Sequence, residues 1–286
     1  SPSNKVDSTM NYEKKILKVK NLQDKALFVR KRILELGKLV GNNGAHFGSS
    51  LSLTDLLVAI YGTVFENKLH LKNDPDRDRF ILSKGHGALG YYCVLEAFGY
   101  LTKDQTNSFE QNGSDFFAHA HKELNNGIEY SGGSLGLGLP FATGIALANK
   151  VRKISSNIYV LVGDGECDEG IIWESLMSIS NFNLSNITIL VDKNKMQSDG
   201  EKVNIMNQKD LGEKFKSFGF DVTEIDGHNF KDILKALNKK SQQPKALIAN
   251  TIKGKGVDFM ESNSDWHHGI LNEKLYDDAI SSLDRN

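Results

Sequence analysis

Apolar positions along this chain fall into two periods. In "ALFVRKRILELGKLVG", Val29, Ile33, Leu36 and Val40 stand at i, i+4, i+7 and i+11, the stripe of an amphipathic helix, and Gly41 supplies its stop. "SLTDLLVAIYGTVF" reads as a second helix. The charged turn "NDPDRDR", the short apolar "FILS" and then "KGHGALGYYCVLEAFGY" follow, a strand or turn, a glycine loop and a helix. From Ile158 the alternation becomes regular. Strand "IYVLV" leads to a helix over Ile172, Leu176 and Ile179, then strand "ITILV", a helix near "KDLGEKFKSFG", strand "DVTEI", helix "FKDILKALNKK" and strand "ALIANT". Short β-rich runs alternating with helical segments predict an α/β fold, a parallel sheet covered by helices on both faces. With no internal repeat, low-complexity tract or Pro/Ser-rich linker, a single domain is expected over residues 25–286. Residues 1–24 are expected to form an N-terminal extension, and the polar "SPSNKVDST" before Met10, read as an expression remnant, is set aside.

Composition narrows the classes of function. At 286 residues, 39% hydrophobic and 25% charged, the chain can bury a complete core. Its 35 basic and 36 acidic residues leave a formal net charge of -1, so no basic field attracts nucleic acid or an anionic membrane, and small molecules or proteins are the expected partners. Two cysteines, Cys93 and Cys167, are too few and too far apart for a disulfide framework or a thiolate metal site. They read as reduced thiols of a cytoplasmic protein. No apolar run approaches the ~18 residues of a membrane span, and no charged-then-apolar leader is seen.

The segment "GDGECDEGIIWESLMSISNFNLSNITILVDKN" carries the sharpest chemistry. Asp164 and Asn194 each follow an apolar strand, and ligands of open parallel sheets sit beyond the carboxyl ends of strands, so the two can converge on one ligand. A carboxylate and an amide carbonyl are hard oxygen donors suited to Mg²⁺, with a phosphate completing the coordination. Gly163 and Gly165 let the backbone approach a diphosphate, and the helix after Gly170 turns its N-terminus the same way. "SGGSLGLGLP" lacks the order of a dinucleotide fingerprint, and no P-loop pattern occurs. "KGKG" at Lys253–Gly256 reads equally as a phosphate contact or as a mobile loop.

On these residues the chain resembles the transketolase family, in the form "GDGECDEG…DKNKMQSDG" of the thiamine-diphosphate motif. "GAHFGSSLSLTDLL", "RDRFILSKGHGALGYY", "GIEYSGGSLGLGLPFATGIALA" and "NTIKGKGVDFMESNSDWHHG" match further family segments in the family's order, over nearly the whole chain from Lys25. The resemblance implies that Asp164 and Asn194 bind Mg²⁺ through side chains and Met196 through its backbone carbonyl. It also implies that Gly163, Gly165, Glu166, Gly133 and Leu135 approach thiamine diphosphate, and that Glu169 and Glu174 lie at a subunit interface. His46 falls on a substrate-facing position and His86 on one facing the diphosphate, in loops where neutral histidines that switch near physiological pH are expected. "AHAHKELNNG" offers His119 or His121 and "DWHHGILN" offers His267 or His268; His119 and His267 are preferred, the latter also as a cofactor contact. His228 reads as a turn residue and His70 as a surface one.

The resemblance implies transfer of a two-carbon ketol unit from a ketose to an aldose through a thiamine-diphosphate adduct. The Glu that activates the cofactor belongs, in the family, to a second, pyrimidine-binding domain. This chain is therefore expected to be the N-terminal subunit of a split enzyme, two copies pairing with two of a companion chain. A thiamine-diphosphate synthase acting on a 2-oxo acid, or a regulatory module that binds without turnover, are the alternative readings.

Overall fold

The computed structural model describes residues 2–197, 200–201 and 209–286, and side chains from Met10 onward outside 196–208. Helix α1 (Pro2–Leu39) leads into α2 (Phe47–Thr63), β1 (Arg79–Leu82), α3 (Ala88–Ala97), the short α4 (Lys103–Asn107) and α5 (Gly138–Val151). Then come β2 (Ile158–Gly163), α6 (Gly170–Asn181), β3 (Ile187–Lys193), the small hairpin β4 (Met196–Gln197) and β5 (Gly200–Glu201), and α7 (Leu211–Ser217). The chain closes with β6 (Asp221–Asp226), α8 (Phe230–Asn238), β7 (Lys245–Asn250) and α9 (Glu273–Arg285).

Five strands form one sheet in the order β1-β2-β3-β7-β6, every pairing parallel. Because side chains alternate across a strand, each strand feeds two cores. Phe80, Leu82, Leu161, Leu190 and Leu247 join α1, α2, α3, α8 and α9 on one face. Ile81, Val160, Val162, Ile189, Val191 and Ile248 join α5, α6 and α7 on the other. The near-continuous apolar runs of β2 and β3 are what burial on both faces requires, and the α/β fold read from periodicity is the observed one. Helix α1 crosses residue 24 without a break and Leu22 already belongs to the core, so no change in local structure marks the expected edge of the extension. Among the described residues no helix is long and apolar enough to cross a membrane, and both cysteines are buried.

In-register pairing aligns the strand ends that carry chemistry: Leu82 lies opposite Leu161, Gly163 opposite Asp192, and Lys193 opposite Asn250. The loops leaving β1, β2, β3 and β7 consequently open on one edge of the sheet.

Candidate active site at the carboxyl edge of the sheet

Asp164 follows β2 directly and is 3% exposed. Its Oδ1 accepts from Gly165 N at 2.9 Å and its Oδ2 from Lys195 N at 2.9 Å, so the carboxylate fastens the turn that holds Asn194. Asn194 is half-buried, between the last residue of β3 and Lys195. Burial and the nearby Asp192 charge push the Asp164 carboxyl up to about 6, against the two backbone donors. A carboxylate whose ionisation is opposed by its surroundings is a fitting partner for a cation, and the oxygen donors suit a hard ion. Among the described residues no group of three or more His, Cys, Asp or Glu is arranged to hold a metal. Met196, the expected third ligand through its backbone carbonyl, opens β4, and its side chain lies outside the described ones.

Beneath this pair lies a buried charge cluster that the sequence reading missed. Asp192, fully buried near the end of β3, accepts from Ser52 Oγ at 2.6 Å, from Lys84 Nζ and from Thr251 Oγ1. Burial alone would raise its carboxyl, but the Lys84 charge and these donors hold it below the ordinary range. Lys84 and Lys253 are 1% and 2% exposed, and burial together with the Lys84 charge pushes the Lys253 ammonium down to about 8. The signal was in the sequence: a charged residue within an apolar parallel strand must be paired when buried.

Four loops converge over this floor. His46 precedes α2, His86 sits in the turn Gly85–Gly87 after β1, His119 comes from the segment before α5, and His267 follows β7. Ring centroids lie 6.1 Å from His46 to His86, 6.3 Å to His119, 5.4 Å to His267 and 4.8 Å to His268, and 5.3 Å from His86 to His267. A two-residue antiparallel bridge, Ala45 N to Gly269 O at 2.9 Å and Gly269 N to Ala45 O at 3.0 Å, sets the His46 and His267 loops side by side. Gly85 lets the β1 loop meet the Gly133 loop, since a Cβ there would come within 2.9 Å of Gly133 N and 3.1 Å of His119 Nδ1.

Of the paired candidates, His119 joins the cluster whereas His121 is exposed against Phe117, ring centroids 5.0 Å apart. His267 and His268 both flank His46, but only His267 touches Lys253, and His268 is exposed. Burial, with neighbouring histidines and lysines, pushes His46 and His267 down to about 4 and His86 well below its ordinary value. His46, His86 and His267 thus favour the neutral form and switch well below physiological pH and not near it, because burial first, then their mutual proximity and the lysine charges, disfavours a further proton.

Glu166 is 2% exposed, and its carboxylate is occupied by protein donors. Ser83 Oγ donates at 2.7 Å, Gly136 N at 2.9 Å and Gly163 N at 3.3 Å, tying β1, the glycine loop and β2 together. Burial pushes this carboxyl up. Gly163 and Gly165 line the turn into α6, and Leu135 is 43% exposed in the loop before α5. Glu169 and Glu174 are both exposed at the start of α6. In the "KGKG" loop Gly254 and Gly256 take left-handed backbone and Lys253 is buried. His228, expected to be a plain turn residue, bridges Asp55 and Ile252, and His70 is exposed.

Comparison with known proteins agrees with this geometry. The family model described as transketolase, thiamine diphosphate binding domain, matches residues 23–283. One subunit of the apulose-4-phosphate transketolase of Actinobacillus succinogenes is 37% identical over 253 residues, spanning 87% of this chain and 91% of the relative. A 6-deoxy-6-sulfo-D-fructose transketolase subunit of a Clostridium species is 37% identical over 270 residues, spanning 93% and 97%. Transketolase from Campylobacter jejuni superposes with a TM-score of 0.79 at 27% identity, over 94% of this chain and 43% of that one. The chain that carries this cleft therefore belongs to the transketolase family, in its thiamine diphosphate-binding part.

Proposed function

We propose that this chain is the diphosphate-binding subunit of a two-chain transketolase that moves a two-carbon ketol unit from a ketose to an aldose. The observation that carries the reading is the convergence of Asp164, Asn194, two buried lysines and four histidines on one edge of the sheet. Relatives spanning nearly the whole chain are named as transketolase subunits, which supports a separate companion. Asp164 and Asn194, with the Met196 carbonyl, would hold Mg²⁺, while Lys84 and Lys253 offset the charge of a diphosphate beside them. When bound, thiamine diphosphate supplies the acidic carbon that takes up and releases the two-carbon unit.

The chain's own residues supply orientation and proton handling. An imidazole in its neutral form, as burial favours at His46, His86 and His267, donates through one ring nitrogen and accepts at the other, which suits sugar hydroxyls, and His119 stands beside them. The walls exclude water from the buried floor at Asp192 and Lys84, which strengthens every charge interaction there. The relatives' names carry a ketose phosphate and a sulfo-ketose, so a sugar with a terminal anion is the favoured substrate class.

An exposed apolar face adjoins the site and suits the companion subunit in a cytoplasmic assembly with two copies of each chain. Leu135, Leu137, Phe141, Met177 and Phe182 are 37–62% exposed, before or on α5 and on or just after α6. Glu174, Ile171 and Phe182 line a cavity of about 390 Å³ between those helices, and Glu169 caps the N-terminus of α6. Co-purification with the companion chain followed by a donor and acceptor screen tests the reading. Ketol transfer by the pair and none by this chain alone is expected; robust transfer by the purified chain alone would overturn it.

A further inference from the structure

Lys253 Nζ lies 2.8 Å from His267 Nδ1. The contact is held from both sides. Lys253 is 2% exposed, and its aliphatic stem crosses Gly48, where a Cβ would come within 2.8 Å of Cγ and 2.9 Å of Cε. Gly254 N donates to Gly48 O at 3.0 Å and Ser262 N to Lys253 O at 2.8 Å, fixing the backbone that carries the lysine. Trp266, packed on Phe47 and Phe259 with ring centroids 5.9 and 5.3 Å away, anchors the histidine's side.

An ammonium has three donors and no acceptor, so the ring nitrogen facing it must accept. We propose that Lys253 is a positioning residue that fixes His267 as the Nε2–H tautomer, so that His267 meets its ligand as a hydrogen-bond donor. Nε2 has no hydrogen-bond partner among the described residues and is left to address an oxygen of a phosphate or hydroxyl group. With Nδ1 engaged, His267 neither abstracts a proton there nor turns about its ring axis.

His228 makes the contrast. Ile252 N donates to its Nε2 at 2.8 Å, so its proton sits on Nδ1 and is given to Asp55 Oδ2 at 2.8 Å. Ile252 and Lys253 are consecutive: one loop after β7 writes opposite tautomers into two histidines through two different donors. Only the identity of the oxygen that Nε2 addresses rests on reading the cleft as a thiamine-diphosphate site.

The test is ring-nitrogen NMR of the full 286-residue chain, labelled with ¹⁵N-histidine and without ligand, with His267 assigned from the pattern lost in His267→Gln. The expected wild-type spectrum has the proton on Nε2 and a hydrogen-bonded acceptor shift on Nδ1. Lys253→Met should move Nδ1 to the shift of an unbonded nitrogen, and Lys253→Arg should restore the wild-type pattern. A proton on Nδ1 in the wild type, or a folded Lys253→Met chain with an unchanged His267 pattern, would overturn the proposal. Since no ligand is present, this outcome is independent of whether thiamine diphosphate and Mg²⁺ bind, which calorimetric titration reads separately.

Discussion

Two buried carboxylates, Asp55 and Asp192, show how one fold builds a fastening and a binding floor from similar parts. Asp55 on α2 takes a bidentate pair from Arg30 on α1 at 2.9 and 3.0 Å and a third bond from His228, whose other nitrogen is also engaged. Burial would raise the Asp55 carboxyl, yet the Arg30 charge with the His228 and Arg30 hydrogen bonds brings it down to about 2. Both Asp55 oxygens are met by protein donors, while Arg30 Nε is buried with no partner among the described residues. Asp192 is as well supplied, by Lys84, Ser52 and Thr251, but the groups above it keep open capacity. His119 Nδ1 is buried with no partner among the described residues, and Nε2 of His267 likewise finds none. A buried polar atom without a partner is destabilising, and His119 differs from Arg30 in standing within the histidine cluster at the strand ends, where a ligand could complete it.

The contrast can be broken most forcefully at Asp55. Asp55→Ala leaves the Arg30 charge buried and unpaired, and a loss of about 3–5 kcal/mol is expected in denaturant unfolding. If the unfolding midpoint stays at the wild-type value, the Asp55 network is not a fastening. Asp164→Ala should do the reverse: the fold persists while Mg²⁺-dependent affinity for thiamine diphosphate, measured by calorimetry in the assembled enzyme, falls about 100-fold or more. Retained affinity would remove Asp164 from the metal site.

The two histidines sharpen the same comparison at smaller scale. His228→Ala strands the Ile252 N–H and one Asp55 contact, for which a stability loss of about 1–3 kcal/mol is expected. His267→Gln, whose amide oxygen can still accept from Lys253, should cost less stability than His228→Ala while lowering turnover of the assembled enzyme. Equal stability effects would erase the distinction between fastening and floor.

A pH dependence tests the comparison by another route. His46 and His267 lie at about 4 in the folded chain, against about 6.5 when unfolded. Between those values the unfolded chain binds more protons, so their contribution is complete above about pH 6.5 and is lost as pH falls toward 4. Asp164, pushed up to about 6, works the opposite way as it takes up a proton. The histidine share is therefore read as a difference: the melting temperature of the His46→Gln/His267→Gln variant should fall less than the wild type's between pH 6.5 and 4. Parallel curves would contradict the depressed values.

Periodicity and spacing alone determined the alternating elements, the parallel sheet and the placing of Asp164 and Asn194 past successive strands, because these follow from side-chain repeat and strand-end geometry. The glycine-flanked histidines were legible as loop chemistry for the same local reason. Which member of each histidine pair enters the cluster was a tertiary matter. It was decided by the Ala45–Gly269 bridge and by the fit of the Gly85 and Gly133 loops, contacts between segments far apart in sequence. Asp192, Lys84 and Lys253 come from the ends of different strands, and His228 gains its partners only where the loops after β6 and β7 meet α2. Burial, which sets their ionisation and makes their pairing obligatory, is a property of the packed chain and has no counterpart in residue order.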